Sequence, residues 1–460
     1  EPGPLTAPAS GPPIRRSQPV AGPLRAAGGG AAQVRKSTRR AAALILRAMS
    51  VLSHIRRRGI ALALCCLLPL AVGAGPARYE RGTTLLKPNR VQPGYTLCNV
   101  PARDDVSLIA HDGQVVHRWL HVVGLPMDTT PIPLDNGHLL VRYERPWLEG
   151  KARTLAELDW NGNVVWEFDD PDYQYMHHDH RPLPNGNVLV LSYRMRPAPE
   201  IADYPVKDDI IFEVTREGEV VWEWSTVDHF EQLGFDRKAR AAIRNEETFP
   251  YNLKRGDVFH ANSIQPLPEN KWFDSGRTKF KPGNILVSQR NTNIIFIIDR
   301  ETGDIVWKMG PRNGVTIGQH DPNMIPKGFP GAGNILVFDN GGRGGYPPER
   351  YRPYSRVLEI NPVNRRVVWS YDAESSGAPR ASLFSEFTSN ARRLENGNTL
   401  ITDSTWGRIA EVARDGTVLW EWLSPWVYRP YKRLRLKVPR CYRVPPEWPA
   451  GPLTGSGQGG

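Results

Sequence analysis

Three histidines of this 460-residue chain recur in one phrase, and their company limits the chemistry they can do. His178 opens HDHRPLPNGN, His260 opens HANSIQPLP and His320 opens HDPNMIP. A fourth copy, Phe387-Thr388-Ser389-Asn390, carries hydroxyls instead. One such histidine alone would read as a hydrogen-bonded turn residue. Three at one register of successive repeats point to a shared ring of imidazoles. Arg290 closes the strand GNILVSQR just past the His260 phrase. There a guanidinium fork could meet an oxyanion, and a strand-end surface arginine is the ordinary alternative. Arg343 stands in the glycine-rich stretch DNGGRGG, whose backbone could approach an anion closely.

This set suits an anionic tetrahedral group. A neutral imidazole attacks it, cationic and N–H neighbours hold the developing charge, and a second imidazole protonates a departing phenolate, whose free pKa is about 10. A His₃ zinc site is the rival reading, with Asp179 or Asp321 as its base. His54, His111, His117, His121, His138 and His229 keep an ordinary structural reading, and His177 and His180 flank His178.

Positioning these groups falls to an internal repeat. An Asx-Gly or similar turn followed by V-V-W or a variant ends at Trp119, Trp166, Trp222, Trp307, Trp369 and Trp420. Alternating with it are LDNGHLLVRY, LPNGNVLVLSY, PGNILVSQR, GAGNILVFDN and LENGNTLITDS, hairpin signals because their turns need positive φ. Each repeat reads as four antiparallel strands, the size of a propeller blade. A lone sheet of this kind cannot bury both faces, whereas a ring of six can. The expected fold is therefore all-β, a six-bladed β-propeller over residues 75–430. The first copy lacks its own Asn-Gly-Asn strand phrase, so the chain ends are expected to share a blade. A mostly helical insertion over 225–258 separates Trp222 from Trp307, and 431–460 reads as a C-terminal tail. The inner strand of each blade would carry the histidines to the channel or its mouth.

Composition agrees. The 42 glycines, 42 prolines and 14 tryptophans disfavour a helical protein. A mean hydropathy of −0.45 excludes a polytopic membrane protein. Eleven basic residues and one acid, Glu1, lie in residues 1–74, so this segment supplies ten of the eleven net positive charges. The folded part lacks the basic excess of a nucleic-acid binder. Residues 1–48 read as a disordered or non-native leader. Residues 49–74 read as a secretory signal, with Arg56–Arg58 before an apolar run and Val72 and Ala74 at a small-residue cleavage site. A periplasmic or secreted protein with no membrane span in its mature form is expected. Cys98 and Cys441 remain after cleavage, either as a disulfide or as two buried thiols. No Cys/His metal spacing is present, and the oligomeric state stays open.

The phrases HHDHRPLPNGN, VFHANSI, LVSQRNTN, GQHD, FDNGGRGG and YSRVLEI resemble the bacterial arylsulfotransferase family over roughly residues 90–425. The resemblance implies a periplasmic six-bladed propeller that moves a sulfuryl group from a phenolic sulfate to a phenolic acceptor. It further implies a ping-pong route through a sulfohistidine, with no nucleotide donor, metal or other cofactor. Carried onto this chain, it implies His320 as nucleophile and Arg290 on the sulfonate. His260 and Asn262 would hold oxygens or move protons, His178 would complete the pocket, and Thr388 or Ser389 would supply a hydroxyl. The separate N-terminal β-domain and the short disulfide of some members have no counterpart here. The phrase DRETGDIVWKMG also resembles quinoprotein and assembly-factor propellers, which keeps a non-catalytic scaffold as the alternative beside a metal-dependent hydrolase.

Overall fold

The computed structural model describes residues 81–449, 451 and 453, apart from 101–104, 120–129, 145–152, 174, 245–255, 311–313, 346–349 and 427–436. The leader, the signal-like segment, His54 and His121 lie outside the described residues.

Turn residues punctuate the chain into strands of two to nine residues, and most of these pair with their sequence neighbours. β1 (Gly82–Leu86) is followed by β2 (Tyr95–Val100), β3 (Asp105–Ile109) and β4 (Val115–Trp119). β5 (Ile132–Pro133), β6 (Leu139–Glu144), β7 (Arg153–Leu158) and β8 (Val164–Phe168) form the second sheet. The third comprises β9 (His180–Pro182), β10 (Val188–Arg196), β11 (Val206–Val214) and β12 (Val220–Ser225). The fourth has β13 (Ala261–Pro266), β14 (Ile285–Gln289), β15 (Ile294–Ile298) and β16 (Ile305–Met309). The fifth uses β17 (His320–Met324) and β18 (Ile335–Asp339), then a side hairpin of β19 (Gly342–Gly344) and β20 (Arg350–Arg352), then β21 (Arg356–Asn361) and β22 (Arg366–Tyr371). The sixth has β23 (Asn390–Arg393), β24 (Thr399–Asp403), β25 (Arg408–Val412) and β26 (Val418–Leu423). The fold is a six-bladed β-propeller.

Both chain ends close the ring. β1 pairs with β26 as a fifth strand of blade 6, and β27 (Cys441–Val444) pairs with β2 as the inner strand of blade 1. Cys98 and Cys441 face each other across that pair and form a disulfide, with Cα atoms 4.6 Å apart. The propeller thus extends past residue 430 into the segment read from sequence as a tail. β27 belongs to it because blade 1 otherwise has three strands and an open inner edge.

Blade-to-blade packing is apolar. Ile295, Ile297 and Trp307 of blade 4 meet Ile335, Val337 and Leu358 of blade 5, all buried. Each such side chain contributes roughly 1.5–3 kcal/mol when fully buried. Each blade also donates one indole N–H to a carbonyl in the turn before the next blade's outer strand. Trp119 donates to Asp159, Trp166 to Arg216, Trp224 to Gly303, Trp307 to Pro362, Trp369 to Arg414 and Trp420 to His111, at 2.7–3.0 Å. The six bonds close a circle. In blade 3 the donor is not the expected Trp222, which is partly buried, but Trp224, two residues later on the same strand face and at the pairing register that Trp119 holds in blade 1.

In the insertion, α1 (Phe230–Leu233) and α2 (Arg237–Arg244) bury Phe230, Leu233, Ala239 and Ile243 against Phe259 and Ile294 of the blade 4 region. Its last residues, Asp257 and Val258, lead directly into the His260 strand.

Candidate active site

Five of the seven described non-glycine residues with positive φ lie at the starts of the inner strands: His178 at 54°, His260 at 54°, Asp321 at 50°, Thr388 at 57° and Ser389 at 80°. Such conformations cost about 1–3 kcal/mol each and persist only where neighbours over-determine them. At His260 the neighbours are explicit. The Ala261 N–H donates to Asp209 Oδ2 at 2.6 Å, and the Arg290 N–H donates to the His260 carbonyl at 3.0 Å.

His178, His260, His320, Arg290 and Thr388 come together around one cavity of about 310 Å³, joined by Asp257, Asn291 and Phe387. Their registers differ from the sequence reading. Pro182, Pro266 and Met324 hold equivalent pairing positions in blades 3, 4 and 5. His178 and His320 each lie four residues before theirs, and His260 lies six before its own. Asn262 occupies the equivalent place in blade 4, and a register shift between Ala261 and Ser263 interrupts the pairing beside it.

His320 is fully buried and its tautomer follows from its partners. Asn340 Nδ2 donates to the carbonyls of Ser385 and Thr388, which turns its Oδ1 toward His320 Nδ1 at 2.8 Å. The Gly318 carbonyl lies 3.0 Å from the same nitrogen. Two acceptors require Nδ1 to carry the proton. Nε2 is then the lone-pair nitrogen, and it accepts the Thr388 N–H at 3.1 Å. Burial, then the Arg290 guanidinium, hold the imidazole well below its usual range, against the opposing bond from Asn340. It is a neutral base at neutral pH.

His260 Nδ1 donates to Asp257 Oδ2 at 2.6 Å, and Lys207 Nζ stands 3.8 Å from the same oxygen. Burial raises the Asp257 carboxyl, but the interaction and hydrogen bond with His260 and the Lys207 ammonium outweigh it and hold the group well below the usual carboxylate range. The pair orients the His260 ring and leaves Nε2 as its second nitrogen. His178 packs edge-on to His260 with centroids 5.0 Å apart, and its Nδ1 shares a 2.8 Å hydrogen bond with His177 Nδ1. Arg290 is held by Asn291 Oδ1 at 3.1 Å and the Glu386 carbonyl at 3.3 Å.

Three of the expected binding residues lie outside the cavity lining. Asn262 is buried and donates to the Gln319 carbonyl at 2.8 Å, fixing the residue before His320. Ser389 is buried, and its Oγ accepts the Ser404 N–H. Arg343 is exposed on the β19–β20 hairpin. Conversely, Asp257, Asn340 and Phe387 were not singled out from sequence. The available signals were an acid three residues before His260 and an amide after the β18 strand.

A buried ion network joins the inner strands. Arg181 Nη2 lies 3.1 Å from Asp179 Oδ2 and 3.3 Å from Asp321 Oδ1, and Arg392 lies 2.8 Å from Asp321 Oδ1. Arg440, next to the disulfide, reaches both carboxylates at 3.3 and 3.6 Å and donates to the Asn262 carbonyl at 2.5 Å. Burial raises the Asp179 carboxyl, and Arg181 and Arg440 more than reverse this. Both aspartates are thus engaged by guanidiniums, Asp321 through its Oδ1. Three guanidiniums against two carboxylates leave formal positive charge beside the histidines. Among the described residues, no group of three or more His, Cys, Asp or Glu could hold a metal ion, and no helix is long and apolar enough to cross a membrane.

The chain matches the family model for arylsulfotransferase (ASST) over residues 130–424, more than half its length. It belongs to the arylsulfotransferase family, which makes sulfuryl transfer involving phenolic compounds its general activity. No curated protein matches it significantly. Among solved structures it is similar to a protein of unknown function from Bacteroides caccae, at 16% identity and a TM-score of 0.44, covering 76% of this chain and 98% of that one. It is also similar to virginiamycin B lyase from Staphylococcus aureus, at 13% identity and a TM-score of 0.35, covering 65% and 72%.

Proposed function

We propose that the enzyme moves a sulfuryl group from a phenolic sulfate ester to a phenolic acceptor by a ping-pong route through a sulfohistidine at His320, with neither nucleotide donor nor metal. The reading rests on one observation: a buried, neutral His320 whose Nδ1–H is locked and whose Nε2 lone pair borders the cavity beside Arg290.

The donor sulfonate lies against Arg290, and the Thr388 N–H gives up Nε2. Nε2 attacks sulfur, the N–S bond forms and the S–O(aryl) bond breaks. His260 enters this step doubly protonated, with Nδ1–H on Asp257, and gives its Nε2 proton to the departing aryl oxide, which matters because a free phenolate is a poor leaving group at neutral pH. Asn340 Oδ1 and the Gly318 carbonyl accept from Nδ1–H and stabilise the positive charge that grows on the ring. In the second half-reaction the acceptor phenol gives its proton to His260 and its oxygen takes the sulfuryl group, restoring His320. Asp257 keeps a proton on Nδ1 throughout, so Nε2 is the atom that loses the proton in the first half-reaction and regains it in the second. The Cys98–Cys441 disulfide and the signal-like segment support a periplasmic or secreted location.

The test is donor treatment in the presence of a chelator. With p-nitrophenyl sulfate and phenol, nitrophenolate should appear, and the His320 peptide should gain about 80 Da, one SO₃. His320→Ala should lower kcat/KM by about four orders of magnitude with the propeller intact. An adduct on another residue would move the nucleophile, and no turnover of any aryl sulfate would favour a scaffold.

A further inference from the structure

A wider concavity, about 970 Å³, lies on blade 3 against the cavity wall. Tyr175, Tyr193, Met195, Lys207 and Glu223 line it. Two features tie it to the cavity. A string of rings runs from one to the other: Tyr175 stacks on Tyr193 at 5.1 Å, Tyr193 meets His177 at 5.5 Å, His177 meets His178 at 5.0 Å and His178 meets His260 at 5.0 Å. Lys207 Nζ stands 4.3 Å from the Tyr193 ring centre and 3.8 Å from Asp257 Oδ2, so one ammonium serves both spaces.

The groove presents apolar surface to solvent. Tyr175 is 41% and Met195 48% exposed, side by side in a concave wall, the usual mark of a ligand surface. Its polar edge is Glu223, which accepts from Tyr173 Oη and Arg194 and stays partly exposed. The cavity itself sits at the small end of ligand-site volumes, roughly 300–1,000 Å³, room for a sulfonate and a single ring. A second ring has to lie elsewhere, and the string of rings leads to the groove.

Building on the sulfuryl-transfer reading, we propose that this groove is the acceptor subsite for phenols of two or more rings. One hydroxyl reaches His260, the second ring lies on Tyr175 and Met195, and its outer hydroxyl donates to Glu223. The enzyme then selects polyphenols over phenol through contacts remote from the reacting oxygen. Tyr175 and Met195 determine specificity and stand away from the chemistry.

The probe is 4,4′-dihydroxybiphenyl, compared with phenol at saturating p-nitrophenyl sulfate, for wild type, the Tyr175→Ala/Met195→Ala double variant and Tyr175→Phe. The double variant should raise KM for the biphenyl about tenfold more than for phenol, loss of one ring's packing, and Tyr175→Phe should keep the wild-type ratio. Calorimetric titration of the biphenyl should weaken in parallel. An unchanged KM ratio in an enzyme that transfers sulfate overturns the groove and leaves the function standing. Biphenyl binding that weakens in the double variant, in a protein with no transfer, overturns the function and leaves an aromatic site. No binding and no transfer in wild type ends both.

Discussion

At the rim of the propeller each blade gives one indole N–H to the turn of the next, from Trp119 and Asp159 round to Trp420 and His111. At the centre the blades are also bonded to one another, but through different side chains at each junction. Blade 3 brings His178, blade 4 brings His260 with its Asp257, blade 5 brings His320, and blade 6 brings the Thr388 peptide. The rim repeats its polar contacts from blade to blade, with Glu157, Glu213 and Glu359 each meeting an arginine of the next blade (Arg216, Arg300 and Arg414), while the centre is irregular and concentrates strained non-glycine residues and a buried ion network. A closed ring lets these requirements separate. Packing is satisfied by the sheets and rim contacts, so inner-strand residues are free to differ and to be strained.

If that division holds, substitutions at the centre cost activity and little stability. The largest effect beyond His320 itself is expected at Asp257→Ala, which removes the carboxylate that orients His260. Turnover should fall about 100-fold with phenyl sulfate and much less with p-nitrophenyl sulfate, whose leaving group hardly needs a proton. Equal losses with the two donors would demote the pair to a structural role.

A smaller effect is expected at Arg440, which fills the centre from the C-terminal strand. In the proposed route His320 attacks only when neutral. Burial, Arg290 and Arg440 all lower its proton affinity, so the active form persists below the ordinary histidine range. Arg440→Gln removes a positive charge and leaves Asp179 and Asp321 less compensated, so proton affinity rises. The acid limb of kcat/KM should move to higher pH, with roughly tenfold less activity on its acid side, and Arg440→Lys should restore most of it. Reducing Cys98–Cys441 should act in the same direction, because Arg440 adjoins that bond. An acid limb unmoved in Arg440→Gln would separate the ion network from the chemistry.

The rim was the legible half of the molecule. Six Trp phrases and five Asn-Gly or Gly-Asn turns suffice for six blades, because period-2 strands and positive-φ turns are local properties of sequence. The choice of His178, His260, His320 and Arg290 was legible too, through motif resemblance. Their common cavity depends on long-range packing. Asp257 was hidden inside a segment read as an insertion, and Asn340 acts through a side-chain amide whose orientation only its partners Ser385 and Thr388 fix. The ion network joins Arg181, Asp321, Arg392 and Arg440 from three blades and the C-terminal strand. Sequence spacing carries no trace of such a meeting. The tail fared worst: Arg440 and β27 sit in a Pro- and Arg-rich stretch with no repeat phrase, and pairing with β2 rather than local propensity makes it a strand.

The smallest effect tests the rim directly. Trp224 donates to the Gly303 carbonyl at 2.9 Å and is buried, whereas Trp222 one turn of the pleat away is only partly buried beside Arg300. Trp224→Phe keeps most of the apolar contact but removes the donor and leaves the carbonyl without that partner. It should destabilise by about 1 kcal/mol, lowering Tm by roughly 2 °C, with donor turnover unchanged. Trp222→Phe should shift Tm by less. Calorimetric scans of the two variants decide the matter. A larger loss from Trp222 would mean that blade 3 holds blade 4 through the register the repeat first suggested, and that the circle of six indole bonds is not what carries the rim.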